Sequence, residues 1–164
     1  MWNIVGSNKI HSTAIIGDNV IMGNNNIIYP YVVIGLPGFI RDAEVATGVI
    51  NIGDNNKIGN HVSIMCGVSG TTQIGSNNLI MNYVNIGHDV SIGDDNEIGV
   101  SSILAGWSQI GNKNKIKLNV SVRNRIIIGN NNIIGMGSNV VVNVDNNTVS
   151  YGNPNKIVRE NNYK

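Results

Sequence analysis

An aliphatic residue falls on every sixth position from Ile74 to Val140 without a miss: Ile74, Ile80, Ile86, Ile92, Ile98, Leu104, Ile110, Ile116, Val122, Ile128, Ile134 and Val140. The same step runs earlier through Ile4, Ile10, Ile16, Met22, Ile28 and Ile34, and then through Ile52, Ile58 and Ile64. A period of six fits neither an α-helix nor an alternating strand, so the chain is a repeat architecture. Each hexad is expected to form one short strand plus one corner of a parallel β-helix. One aliphatic side chain per hexad points inward, and stacked coils bury a core that no single coil could form alone.

A second period sharpens this picture. The pattern Gly-x-x-Asn returns as Gly23…Asn26, Gly53…Asn56, Gly75…Asn78, Gly93…Asn96, Gly111…Asn114 and Gly129…Asn132, the last four at 18-residue intervals. Three hexads therefore make one coil, and the prism has three faces. Gly and Asn tolerate left-handed backbone at little steric cost, so most of the thirty asparagines are expected to serve the corners. About seven coils of 18 residues would occupy residues 1–147, leaving 148–164 as a tail.

The repeat breaks twice. Ile34 to Ile52 spans 18 residues where one hexad takes six, so about twelve extra residues bulge within 35–51. Ile64 to Ile74 spans ten, so about four bulge within 65–73. Counted by threes, both bulges leave the same corner in successive coils. Down that column follow Ile86-Gly87-His88-Asp89, then Leu104-Ala105-Gly106-Trp107, then Val122-Arg123-Asn124-Arg125. Loops carried on a rigid scaffold are where function concentrates, which places the candidate site here. The column with the Gly-x-x-Asn corners reads as a solvated face. The third presents Met81, Tyr83, Val100, Leu118 and Met136 outward, an apolar stripe that suggests burial against other copies in a homotrimer.

Composition removes several alternatives. A net charge of +1 with 13% charged residues carries no nucleic-acid footprint. The single cysteine, Cys66, excludes an internal disulfide and fits a reducing compartment. No basic region leads into an apolar stretch at the start, and runs such as Val32 to Leu36 are too short to span a bilayer. The expected location is the cytoplasm, with no membrane contact. His11, His61 and His88 are the only histidines and fall in different columns or distant coils, so no metal site is expected. The irregular, looped column also disfavours a purely structural or ice-binding solenoid.

The stretch Gly75-Ser76-Asn77-Asn78-Leu79-Ile80-Met81-Asn82-Tyr83-Val84-Asn85-Ile86-Gly87-His88-Asp89-Val90 resembles the left-handed β-helix acyltransferases. Two groups are most similar. One is the UDP-N-acetylglucosamine O-acyltransferases of lipid A synthesis, with a His-Asp pair near a Leu-Ala-Gly segment, here Leu104-Ala105-Gly106. The other is the acetyl-CoA-dependent N-acetyltransferases of nucleotide-linked amino sugars, whose "G-N-P-A-K" ending resembles Gly152-Asn153-Pro154-Asn155-Lys156. The resemblance implies a left-handed helix and acyl transfer to a sugar. The chain departs from the lipid A group at Asn85, where that family carries a second histidine, and at Trp107, where it carries another. With no helical segment between the repeats and Lys164, these departures point to acetyl-CoA as donor rather than a long-chain acyl carrier protein.

Acyl transfer requires that the acceptor lose a proton as it attacks a thioester carbonyl. A neutral imidazole suits that task near pH 7, which makes His88 the candidate base and Asp89 its orienting partner. The Gly106 N–H is a candidate donor to the thioester oxygen, with Trp107 walling the donor groove. Arg123, Arg125 and Lys156 are candidate partners for the coenzyme phosphates. Asn82 and Asn85 are candidate acceptor contacts, and the loop Leu36–Val49 the acceptor-recognition element. The expected reaction is acetyl transfer from acetyl-CoA to the amine of a nucleotide-linked amino sugar. The alternative is sugar O-acetylation, or O-acylation of the lipid A type from an acyl carrier protein.

Overall fold

In a computed structural model, which describes residues 1–37 and 48–162, the chain is a three-faced prism in which every regular element is a strand. The first face stacks Ile15–Ile16, Val33–Leu36, Ser63–Met65, Asn85–Ile86, Ile103–Leu104, Ser121–Val122 and Asn139–Val140. The second stacks Val20–Met22, Ile50–Ile52, Thr72–Ile74, Ser91–Ile92, Gln109–Ile110 and Ile127–Ile128. The third runs from Asn8–His11 through Ile27–Ile28, Lys57–Ile58, Leu79–Ile80, Glu97–Ile98 and Lys115–Ile116 to Ile133–Ile134. Neighbours within each face pair in parallel, so Ile86 stands between Ile64 and Leu104, and Ile92 between Ile74 and Ile110. All twelve repeat residues from Ile74 to Val140 are buried in one continuous core. Each such side chain contributes about 1.5–3 kcal/mol relative to exposure, and the register keeps the stack in phase.

The ends differ from the expectation. Trp2–Val5 folds back antiparallel on Asn8–His11 through a left-handed Gly6, and Ile4 is 69% exposed. The inward ladder therefore begins at Ile10. A six-residue step cannot tell the first inward residue from a hairpin strand of the same spacing. At the other end Thr148–Tyr151 pairs in parallel with Ile133–Ile134, and Lys156–Glu160 returns antiparallel on it. The third face thus continues past residue 147 into the segment expected to be a tail.

The corner chemistry departs from expectation at the glycines. The corner glycines Gly23, Gly53, Gly75, Gly93, Gly111 and Gly129 do not have positive φ. They are needed because coils approach closely: a Cβ on Gly75 would stand 2.6 Å from the Gly93 carbonyl oxygen. The left-handed residue is the one before the asparagine, as at Asn55, Asn77, Asp95, Lys113 and Asn131. The asparagine itself is buried and forms a ladder along the axis. Asn78 Nδ2 donates to Asn56 Oδ1 at 3.1 Å and to the Gly93 carbonyl at 2.9 Å, and its backbone N–H donates to Asn56 Oδ1 at 2.9 Å. A buried amide satisfied in this way avoids the penalty of an unpaired polar group.

Candidate active site

The corner between the first and second faces carries the candidate site. Its left-handed residues are Asp89, Trp107 and Arg125, at φ of 56°, 59° and 62°, stacked one coil apart. The residues before them, His88, Gly106 and Asn124, form a parallel column. The hexad register sets this alignment, because Ile86, Leu104 and Val122 are Cα partners on the face leading in.

His88 Nδ1 lies 2.9 Å from Asp89 Oδ2, with only 14% of the histidine side chain and 5% of the aspartate side chain exposed. His88 is thus more covered than an outward corner residue, with Asp89 and the Trp107 ring against it. The carboxylate also accepts from the Val68 N–H at 2.8 Å and from the Ser69 N–H at 3.3 Å. Burial alone would push the Asp89 carboxyl up. Hydrogen bonds from Val68, His88, Ser69 and Gly70 outweigh it and hold the group below its ordinary value. With Asp89 ionised, Nδ1 is the donor in the pair, and in the neutral ring the lone pair then falls on Nε2.

The Trp107 and His88 rings meet edge to face at 4.3 Å between centroids. Trp107 Nε1 donates to Ser69 Oγ at 3.1 Å, and the Arg125 guanidinium lies 4.4 Å above the indole centroid. A Cβ on Gly106 would fall 2.7 Å from His88 Nε2, so only glycine leaves the imidazole its place. The backbone of Gly106 is distinctive as well. At the next corner round, each leading N–H is capped by a side chain one coil on: Asn24 by Asp54, Ser76 by Asp94, Asp94 by Asn112, and Asn112 by Asn130. No such cap engages the N–H of Gly106 among the described residues. That unengaged donor belongs to the His88 corner.

The structure thus brings together His88, Asp89, Gly106, Trp107 and Arg125. Arg123 stands exposed on the same corner. Asn85 lies half-buried on the face leading in, between Ser63 and Ile103. Asn82 sits at the corner between the third and first faces, where its Oδ1 accepts from the Asn60 N–H at 3.0 Å. Lys156 lies on the return strand of the third face, four strand spacings or about 19 Å along the axis from the His88 coil. It lies on a different face from the corner that carries the arginines. Most of the expected acceptor loop Leu36–Val49 lies outside the described residues. Sequence reasoning missed Val68, Ser69 and Thr72, which meet Asp89 and Trp107 through backbone and hydroxyl groups, and Asn124, which the 18-residue register places beside Gly106.

His11 bonds Thr13 in the first coil, and His61 stacks between Tyr31 and Tyr83 at 4.9 Å from each. Among the described residues no three His, Cys, Asp or Glu side chains are grouped to hold a metal, and no helix is long and apolar enough to cross a membrane.

The prism is a left-handed parallel β-helix, and residues 71–106 match the bacterial transferase hexapeptide (six repeats) family. Among solved structures the chain is similar to the UDP-N-acetylglucosamine acyltransferase LpxA of Bacteroides fragilis, at 30% identity and a TM-score of 0.91, over 94% of this chain and 62% of that one. It is similar to the UDP-N-acetylglucosamine O-acyltransferase LpxA of Moraxella catarrhalis at 26% identity and a TM-score of 0.75, over 96% and 74%. A variant of perosamine N-acetyltransferase from Caulobacter crescentus, in complex with CoA and GDP-perosamine, shares the fold at 21% identity and a TM-score of 0.53, over 94% and 57%. No curated protein sequence matches the chain. The chain spans 62% of the length of the Bacteroides fragilis enzyme.

Proposed function

We propose that this protein is an acyltransferase that acylates a nucleotide-linked sugar, with His88 as general base. The observation that carries this reading is the His88–Asp89 pair at 2.9 Å, with Nε2 left unpaired beside the free Gly106 N–H. A base and an oxyanion donor on one corner are what thioester attack requires. The acceptor's nucleophilic atom would lie against Nε2 and pass its proton there as it bonds to the acyl carbon. The thioester oxygen, gaining charge, would turn to the Gly106 N–H. Collapse of the tetrahedral intermediate would expel the thiolate, and the imidazolium would return the proton to the leaving sulfur.

Acetyl-CoA is the donor in this reading. Trp107, tied to Ser69 and covered by Arg125, walls the approach to His88 and favours a short acyl group. Arg125 and Arg123 supply positive charge for the coenzyme phosphates. Lys156, on another face, is a candidate to serve them from a neighbouring copy in a homotrimer. The acceptor expected from the sequence is an amine of a nucleotide-linked amino sugar. A second reading, transfer to a sugar hydroxyl, draws its support from the likeness to LpxA of Bacteroides fragilis. That likeness outweighs the fold-level one to the N-acetyltransferase, so UDP-N-acetylglucosamine heads the acceptor panel.

The test is release of free thiol from acetyl-CoA in the presence of UDP-, dTDP- and GDP-linked sugars, bearing either a free amine or only hydroxyls. Turnover with a nucleotide sugar, lost in His88→Ala, is the expected result. A C12–C14 acyl carrier protein that outperforms acetyl-CoA would overturn the donor assignment. No thioester consumption with any acceptor or donor would overturn the enzyme reading.

A further inference from the structure

The second insertion does more than bulge from the corner. Its Val68 and Ser69 amides donate to the Asp89 carboxylate at 2.8 and 3.3 Å, and the Gly70 amide adds a third hydrogen bond. Thr72 Oγ1 accepts from the backbone N–H of Asp89 at 2.9 Å and donates to the Met65 carbonyl at 2.9 Å. One buried hydroxyl therefore ties both ends of the insertion to the corner that holds the acid. The turn is tight: a Cβ on Gly67 would stand 2.1 Å from the Gly70 carbonyl oxygen. Ser69 receives Trp107 Nε1 as well, so the same loop fixes the ring that packs against His88. Gly48, at the return of the first insertion, donates to the Gly67 carbonyl at 3.2 Å and braces the turn from behind.

We propose that the Met65–Gln73 insertion is a positioning device for the base: its amides and the Thr72 hydroxyl hold Asp89 so that His88 keeps its proton on Nδ1 and its lone pair on Nε2. This rests on the reading of His88 as the base. Which ring nitrogen of a neutral histidine carries the proton is set by the hydrogen bond the other makes. A lone imidazole favours the proton on Nε2, which would leave nothing to accept the acceptor's proton. To reverse that preference the carboxylate must sit at Nδ1 and stay ionised. Burial opposes ionisation, and convergent amides offset the opposition, as in other backbone anion nests. The charged groups around His88 are Asp89 beside it and Arg125 across the Trp107 ring. Val68, Ser69, Gly70 and Thr72 thus act on the chemistry through Asp89 and are positioning residues.

The readout is the tautomer itself. Full-length protein labelled with ¹⁵N-histidine is examined by NMR at about pH 8.5, roughly two units above the ordinary imidazole value, with His88→Gln assigning the signal. The wild type is expected to show the Nδ1–H form at His88. Thr72→Val removes the hydroxyl while keeping the shape, and Gly67→Ala opens the turn without deleting a polar group. Each is expected to move His88 toward the Nε2–H form and to lower kcat about tenfold or more at unchanged acceptor KM. A folded Thr72→Val that keeps the wild-type tautomer overturns the proposal, as does a wild type in the Nε2–H form. Should Gly67→Ala fail to fold, Thr72→Val decides alone. The NMR measurement needs no substrate. A tautomer shift in a protein that consumes no thioester sustains the positioning role while removing the acyltransferase reading. Normal turnover with an unmoved tautomer does the reverse.

Discussion

Gly106 lies one coil from His88 in the same column, and a Cβ there would stand 2.7 Å from His88 Nε2 and 2.6 Å from Cε1. The missing side chain makes room for the imidazole, and the Gly106 N–H is itself uncapped by Asn124, one coil on. Gly106→Ala should therefore displace the ring and crowd the amide together. Turnover is expected to fall by about 10²–10³, the usual worth of one oxyanion donor, while the fold persists because the core ladder is untouched. Steady-state kinetics beside a thermal melt checks this. A fully active Gly106→Ala would remove the residue from the site.

His88→Ala should cut turnover by about 10²–10⁴. Asp89 retains its amide donors from Val68 and Ser69, so the corner is expected to keep its shape and the melting temperature to change little. His11→Ala and His61→Ala serve as controls and should stay within a few-fold of wild type. Wild-type turnover in His88→Ala would assign the acceptor's deprotonation elsewhere.

The depressed Asp89 carboxyl makes a signed prediction about acid. A group whose folded pKa lies below its unfolded value, here below 3.8, contributes stability that is fully present above that value. The contribution is lost as pH falls through the folded pKa. The melting temperature of wild type over Asp89→Asn should therefore exceed zero by a constant margin near neutrality and narrow below about pH 4. Turnover in Asp89→Asn should drop by about 10- to 100-fold at neutral pH, because the amide no longer favours the imidazolium. A margin that widens in acid would contradict the hydrogen-bond balance described for the carboxylate.

Much of this arrangement was legible in the chain. The hexad step fixed the inward positions, and counting by threes put both insertions, His88, Trp107 and Arg125 on one corner. That succeeded because a solenoid converts sequence distance into spatial register with almost no freedom. What escaped lies where register ends. The Val68–Gly70 amides reach Asp89 from an irregular loop, and backbone donors carry no residue signature. Ser69 meets Trp107 across 38 positions of chain through a hydroxyl whose neighbours give no hint of it. The tail motif groups Lys156 with the arginines, but the terminal hairpin holds it on another face. The expectation of left-handed backbone holds at asparagines such as Asn55, Asn77 and Asn131 but not at the corner glycines. The corner glycines instead allow close coil approach and the buried asparagines form an amide ladder, and both follow from contacts between coils that a single repeat does not display.

The outward stripe carries the last prediction. Tyr83 is 58% exposed and Met136 73%, with Leu118 also exposed and Met81 and Val100 half-buried, all at the corner between the third and first faces. Apolar side chains aligned along one edge of a prism whose core is already filled are best buried against equivalent edges, and three copies about one axis close that arrangement. Light scattering should give a mass three times the 17.6 kDa of one chain at micromolar concentration. Leu118→Asp combined with Met136→Asp should yield monomers that keep the β-helix by circular dichroism, because neither residue belongs to the core. If Lys156 serves the coenzyme only from a neighbouring copy, those monomers should also lose affinity for acetyl-CoA. A wild-type protein that runs as a monomer, or a double variant that stays trimeric, would place the contact surface elsewhere.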